Sequence, residues 1–112
     1  MSKDMAKILI IDDEPNIVAY IEAAIALEGH TVITASDGDE GLQTFKAEGD
    51  FDLVITDLIM PKKAGIEVIV AIRKLDKDVK IVAISGGGMQ NPDSYLAAAA
   101  GLGADHVMKK PI

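Results

Sequence analysis

The sequence has 112 residues, 49% hydrophobic and 26% charged, enough for one compact domain with a real core and too few for two. A formal charge of −7 opposes direct binding to nucleic acid or to an anionic membrane, and the absence of cysteine excludes disulfides, thiolate metal centres and cysteine catalysis. Met1-Ser2-Lys3-Asp4 leads into an apolar run too brief for a signal segment or a membrane span, so a soluble, cytoplasmic protein is expected.

Short apolar runs alternate with amphipathic stretches of helical length. A first strand is predicted over Lys7 to Ile11, followed by a helix over Asn16 to Glu28 with Ile17, Ile21 and Ile25 four apart and Gly29 as its stop. Thr31 to Ala35 is the second strand. Asp37 and Glu40 have the spacing of an N-cap with its reciprocal partner, opening a helix through Leu42 and Phe45. Leu53 to Thr56 is the third strand, and Gly65 to Leu75, with Ile66, Ile69 and Ile72 three apart, the third helix. Lys80 to Ile84 is the fourth strand, Asn91-Pro92-Asp93 opens an alanine-rich helix ending near Gly101 or Gly103, and His106 to Met108 is the fifth strand.

The strands are β-branched and apolar on both faces, as expected of a parallel sheet covered by helices. Right-handed crossovers then give a doubly wound α/β fold whose ligands sit at the carboxyl ends of the strands. Asp12, Asp13 and Glu14 stand at the end of the first strand, Asp57 at the third, Ser85 at the fourth, Lys109 and Lys110 at the fifth. Two carboxylates 4 Å apart repel by roughly 4 kcal/mol at an effective dielectric of about 20, so a cation is needed. Mg²⁺ takes one or two carboxylates and keeps water or phosphate oxygens, which suits Asp13 and Asp57 as ligands with Asp12 behind them. Lys110, Ser85 and the backbone of Gly86-Gly87-Gly88 could neutralise or bind phosphoryl oxygens. Taken singly, each feature is an ordinary turn, cap or solvated strand end. Their coincidence at successive strand ends predicts a phosphoryl-acceptor site.

Ile8-Leu9-Ile10-Ile11-Asp12-Asp13-Glu14-Pro15, Asp52-Leu53-Val54-Ile55-Thr56-Asp57-Leu58-Ile59-Met60-Pro61 with Gly65 beyond, Ile84-Ser85-Gly86, and Gly103-Ala104-Asp105 followed by Lys110-Pro111 together resemble response-regulator receiver domains. The resemblance covers nearly the whole chain and implies a flavodoxin-like sheet of five strands in the order 2-1-3-4-5. It implies that residues 1–112 form one receiver domain and that Asp57 accepts a phosphoryl group from a sensor histidine kinase or phosphotransfer protein. Asp13, Asp57 and the backbone carbonyl of Ile59 would hold Mg²⁺, with Asp12 in support, while Ser85 and Lys110 would engage the phosphoryl group. Such a domain is a regulatory phosphoacceptor, not an enzyme in the ordinary sense. It acts on an output protein or domain that the sequence does not identify, and a homodimer is left open. The competing functions are a receiver-like interaction module that is never phosphorylated and an aspartyl-nucleophile phosphatase. The latter usually has a second acid two places beyond its nucleophile, where this chain has Ile59.

Three departures from the family pattern stand out. Val107 occupies the place of a common aromatic switch residue, with His106 beside it as a weak substitute. Lys62-Lys63 makes the loop after Met60-Pro61 basic. The sequence stops at Ile112, where receivers normally continue into a fifth helix, so a C-terminally shortened chain with an uncovered apolar strip is expected. His30 is expected at the surface, Met60 as a core plug, Met89 exposed in its loop, and Tyr20 and Tyr95 as packing edges.

Overall fold

The computed structural model describes residues 6–58, 64–85 and 92–109, with the backbone alone over 92–96. Its elements run β1 (Lys7–Ile11), α1 (Pro15–Ala26), β2 (Thr31–Ala35), α2 (Gly38–Glu48), β3 (Leu53–Asp57), α3 (Gly65–Leu75), β4 (Lys80–Ser85), α4 (Pro92–Leu102) and β5 (His106–Lys109). All five strands are parallel in the order β2-β1-β3-β4-β5, the doubly wound order expected from the resemblance. Strand order reverses between β2-β1 and β1-β3, so the carboxyl ends of β1 and β3 flank the crevice where such sheets place their chemistry.

Leu9, Ile10, Ile11, Val54 and Ile81 are fully buried, because the central strands are sandwiched between helices. Each such aliphatic side chain contributes about 1.5–3 kcal/mol of burial. The two faces of the sheet are unequal. On one, Leu42 and Phe45 of α2, Val68, Ile69 and Ile72 of α3 and Ala99 of α4 pack with Leu9, Ile11, Val54 and Ile81. On the other, among the described residues, α1 alone covers Ile8, Ile10, Ile55 and Ile84, with Ile17, Val18, Ile21 and Ile25. Strand β5 differs from the central strands in that all four of its residues are exposed. It lies at the sheet edge, and Val107 and Met108 keep 40% and 43% of their surface in solvent.

Helix boundaries show where local signals were incomplete. Helix α1 starts at Pro15, whose missing N–H suits the first turn, and ends at Ala26, before the expected Glu28. Its last turn tightens through Glu28 N–H to Ile25 O and Gly29 N–H to Ala26 O, and Gly29 takes the left-handed conformation at φ 87°. In α2, Asp37 accepts from the Glu40 N–H at 2.8 Å as expected, but Glu40 reaches back to the backbone and hydroxyl of Ser36, one residue earlier than a reciprocal cap would. Helix α2 also comes so close to β1 that a Cβ at Gly41 would lie 2.5 Å from Ile11 Cδ1.

The amino ends of the strands are tied by side chains. His30 Nδ1 accepts from the Ala6 N–H at 2.8 Å, Asp52 Oδ2 from the Lys7 N–H at 2.9 Å, and Asp105 Oδ2 from the Ile81 N–H at 2.8 Å. His30 is therefore half-buried and engaged in the sheet rather than a bare surface residue. Tyr20, expected as a packing edge, is 59% exposed.

Candidate functional site

At the carboxyl end of β1 the backbone N–H of Asp12 donates to Ala35 O of β2 at 3.1 Å, fixing the acidic turn against the sheet. Asp12 is 3% exposed, and its Oδ1 accepts from the Glu14 N–H at 2.9 Å, an Asx-type turn that leads into Pro15 and α1. Asp13 faces solvent. Asp57, the last residue of β3, is 5% exposed. Each of Asp12, Asp13 and Asp57 offers a carboxylate oxygen within 4.8 Å of the others'.

Three carboxylates at that separation, two of them buried, form a donor set for a hard cation. The exposed side of Asp13 leaves room for the waters that a hard divalent cation such as Mg²⁺ would retain. A groove of about 380 Å³ opens beside the cluster, lined by Asp12 and Asp13, by Val18 and Ala19 of α1, and by Ser36 and Glu40 at the start of α2.

Asp57 is held from several sides. Its Oδ1 accepts from the Leu58 N–H at 2.8 Å, and that same N–H also lies 3.0 Å from Ile84 O of β4. Thr56, fully buried, donates its hydroxyl to Asp57 O at 2.9 Å. Gly65 N–H donates to Leu58 O at 2.9 Å, which seats the start of α3 against the end of β3. In the sequence Gly65 stands only as the start of a predicted helix and as part of a motif. The signal that could have marked it is the need for a residue without Cβ where a helix starts against a strand end.

Ser85 ends β4 and is fully buried. Asp57 pairs with Ile84, so Ser85 stands one step beyond Asp57 on the neighbouring strand, and Lys109 of β5 pairs with Ser85 on its far side. The sheet thus brings Asp12, Asp13, Asp57 and Ser85 to one rim. Ile59 and Lys110 lie outside the described residues, as do Met60, Lys62, Lys63, Gly86, Gly87, Gly88, Met89 and Asn91; the Tyr95 side chain is likewise outside them.

Away from that rim, Arg73 of α3 forms a network that the sequence did not disclose. Its Nε donates to Gly103 O at 2.9 Å, its guanidinium pairs with Asp105 Oδ2 at 2.7 Å, and it also donates to Val79 O. The Ile81 N–H holds the Asp105 carboxyl below the ordinary carboxylate range; burial opposes this, and the nearby charge and hydrogen bond of Arg73 add to the lowering.

Comparison with known proteins gives a consistent result. The family model described as the response regulator receiver domain matches residues 8–112. A probable transcriptional regulator, ycf27 of Guillardia theta, is 41% identical over 94% of this chain and 39% of its own length. The alkaline phosphatase synthesis transcriptional regulatory protein PhoP of Bacillus subtilis is 37% identical over 94% of this chain and 42% of its own. The chain therefore spans about two-fifths of the length of these relatives. Among solved structures, a response regulator receiver domain protein of Clostridium thermocellum aligns with a TM-score of 0.84 at 35% identity, covering 96% of this chain and 83% of that one. The response regulator TrrA of Thermotoga maritima, solved in complex with Mg²⁺ and BeF, aligns with a TM-score of 0.82 at 36% identity, covering 96% and 89%.

Proposed function

This chain belongs to the response regulator receiver domain family of two-component systems, and we propose that it is a phosphoacceptor switch whose acceptor is Asp57. The observation that carries this reading is the meeting of Asp12, Asp13 and Asp57 within 4.8 Å, at the ends of β1 and β3. A carboxylate oxygen of Asp57 attacks the phosphorus of a phosphohistidine on a sensor kinase or phosphotransfer protein. A P–O bond forms, the P–N bond breaks, and imidazole leaves with the electron pair.

Asp13 and Asp57 would hold Mg²⁺ directly, with Asp12 steadying the pair and the Ile59 carbonyl completing the protein's share. The ion, when bound, offsets negative charge as the phosphoryl group approaches the carboxylates. Ser85 would donate its hydroxyl to a phosphoryl oxygen once the acyl phosphate forms, and Lys110 is assigned the compensating ammonium. Asp57, held through Oδ1 by the Leu58 N–H, keeps a fixed orientation for attack. The TrrA structure with Mg²⁺ and BeF supports the assignment by likeness.

No helix among the described residues is long and apolar enough to cross a membrane. We place the switch in the cytoplasm, with residues 1–112 acting as one receiver unit. Relatives are named as transcriptional regulators and are more than twice as long as the matched region. The output is accordingly assigned to another segment or protein, and direct contact with nucleic acid is not assigned to this acidic chain.

Incubation with Mg²⁺ and a small acyl-phosphate donor, read by intact mass, tests the proposal. The wild type should gain one phosphoryl group and Asp57→Asn none. An unchanged wild-type mass would instead favour an interaction module that is never phosphorylated, and sustained turnover of phosphate esters would favour a phosphatase.

A further inference from the structure

We infer that Arg73 is a positioning residue for the phosphoryl site, acting through Asp105 and Gly103 to set the register of β5. The inference begins with a weakness in that strand. A parallel strand slipped by one residue turns every side chain to the other face, and burial of one face is what ordinarily forbids the slip. In β1 and β3 burial supplies that restraint. In β5 it does not, since His106, Val107, Met108 and Lys109 are all exposed and, among the described residues, β4 is the strand's one neighbour in the sheet.

The polar contacts at the start of β5 supply what burial lacks. Asp105 N–H donates to Ile81 O at 2.8 Å, and Asp105 Oδ2 accepts from Ile81 N–H at 2.8 Å, so one residue grips both backbone groups of Ile81. The pairing that follows is Val82 with His106 through to Ser85 with Lys109. Arg73 holds Asp105 in place at 2.7 Å, and its Nε fixes Gly103 O at 2.9 Å, pinning the turn between α4 and β5. Gly103, at φ +130°, passes so close that a Cβ there would lie 2.8 Å from Arg73 Cγ. Arg73 also donates to Val79 O just before β4. One guanidinium therefore spans the end of α3, the start of β4 and the start of β5, which a lysine's single ammonium could not reproduce. At the other end of the strand, the register decides which residue of the Lys109-Lys110 pair stands beside Ser85.

The site consequence rests on the phosphoacceptor reading of Asp57, whereas the register can be tested without it. Hydrogen exchange of the β5 amides and the rate of phosphoryl uptake from a small acyl-phosphate donor should be measured in wild type, Arg73→Ala, Arg73→Lys and Asp105→Asn. In Arg73→Ala, exchange in 106–109 should rise at least tenfold while β1 and β3 stay protected. Uptake should slow at least tenfold with the Mg²⁺ dissociation constant unchanged. Arg73→Lys should rescue little, and Asp105→Asn, which keeps an acceptor for Ile81 N–H and the fold intact, should fall between.

Wild-type exchange in β5 of Arg73→Ala would overturn the inference. So would loosened β5 with undiminished uptake, or a parallel loss of protection, Mg²⁺ affinity and uptake across the whole sheet, which marks a merely structural residue. If wild type itself takes up no phosphoryl group, the phosphoacceptor reading fails and the proposed site role falls with it, while the exchange data still decide the register.

Discussion

Gly65 stands so close behind Asp57 that a methyl group on its Cα would lie 2.0 Å from the Asp57 carbonyl oxygen and 2.6 Å from Leu58 Cα. Both neighbours are backbone in a packed interior and cannot yield cheaply. Gly65→Ala should therefore force α3 away from the end of β3, with a loss of about 2 kcal/mol or more. Slower phosphoryl uptake should accompany it. Urea unfolding midpoints check the first effect; an unshifted midpoint would contradict the close seating of α3.

The three clustered acids should make the cation-free protein less stable than it could be. With Asp57 neutralised, Asp57→Asn should be about 1 kcal/mol more stable without metal, a fraction of the pairwise repulsion expected at an effective dielectric of about 20. Saturating Mg²⁺ should reverse the order, since a ligand at a hundred times its dissociation constant adds about 2.7 kcal/mol to the form that binds it. Thermal melts of wild type, Asp57→Asn and Asp13→Asn, with and without Mg²⁺, measure both. Equal Mg²⁺ shifts in all three would place the ion elsewhere.

Acid should release the Asp105 clamp. The carboxyl is held below its ordinary value of 3.8, foremost by the Ile81 N–H. A depressed folded-state value means that its stabilisation is fully present above the unfolded value and is lost as pH falls through the folded one. Below pH 3.8, wild type should thus lose stability that Asp105→Asn never had. Denaturant midpoints from neutral pH downward should converge for the two proteins at the acid end; curves that stay parallel would remove Asp105 from the linkage.

At the opposite rim of the sheet, His30→Ala should leave the Ala6 N–H without its acceptor and lower stability by about 1 kcal/mol. Phosphoryl uptake should be unaffected, because the contact lies at the amino end of β1. Chemical denaturation and the uptake assay separate the two effects.

What could be read in the sequence was whatever depends on local chemistry. The β-branched runs give β1 and β2 with their observed ends, Gly65 to Leu75 is α3 as expected, and the acids fall at the ends of β1 and β3 because apolar runs stop where the sheet stops. What escaped was set by partners distant in the chain. Arg73 carries no sequence signal of its contacts, since Gly103 and Asp105, thirty and thirty-two residues on, carry no mark of its approach. His30 reads as a turn residue until β1 lies beside it. Glu40 caps Ser36 rather than Asp37 because the extended backbone at Asp37 swings the preceding residue within reach. The apolar residues of β5 do not by themselves show its exposure; the edge position in the order 2-1-3-4-5 that the resemblance implied does.

The Leu58 N–H points at two acceptors, Asp57 Oδ1 at 2.8 Å and Ile84 O at 3.0 Å. A proton so divided leans toward the oxygen richer in charge. Anything that drains electron density from the Asp57 carboxylate, whether a coordinated ion or an acyl-phosphate bond, should hand more of that proton to Ile84. The Leu58 amide is thus a built-in spectroscopic gauge: its proton and nitrogen resonances should track the charge on Asp57 without any added label.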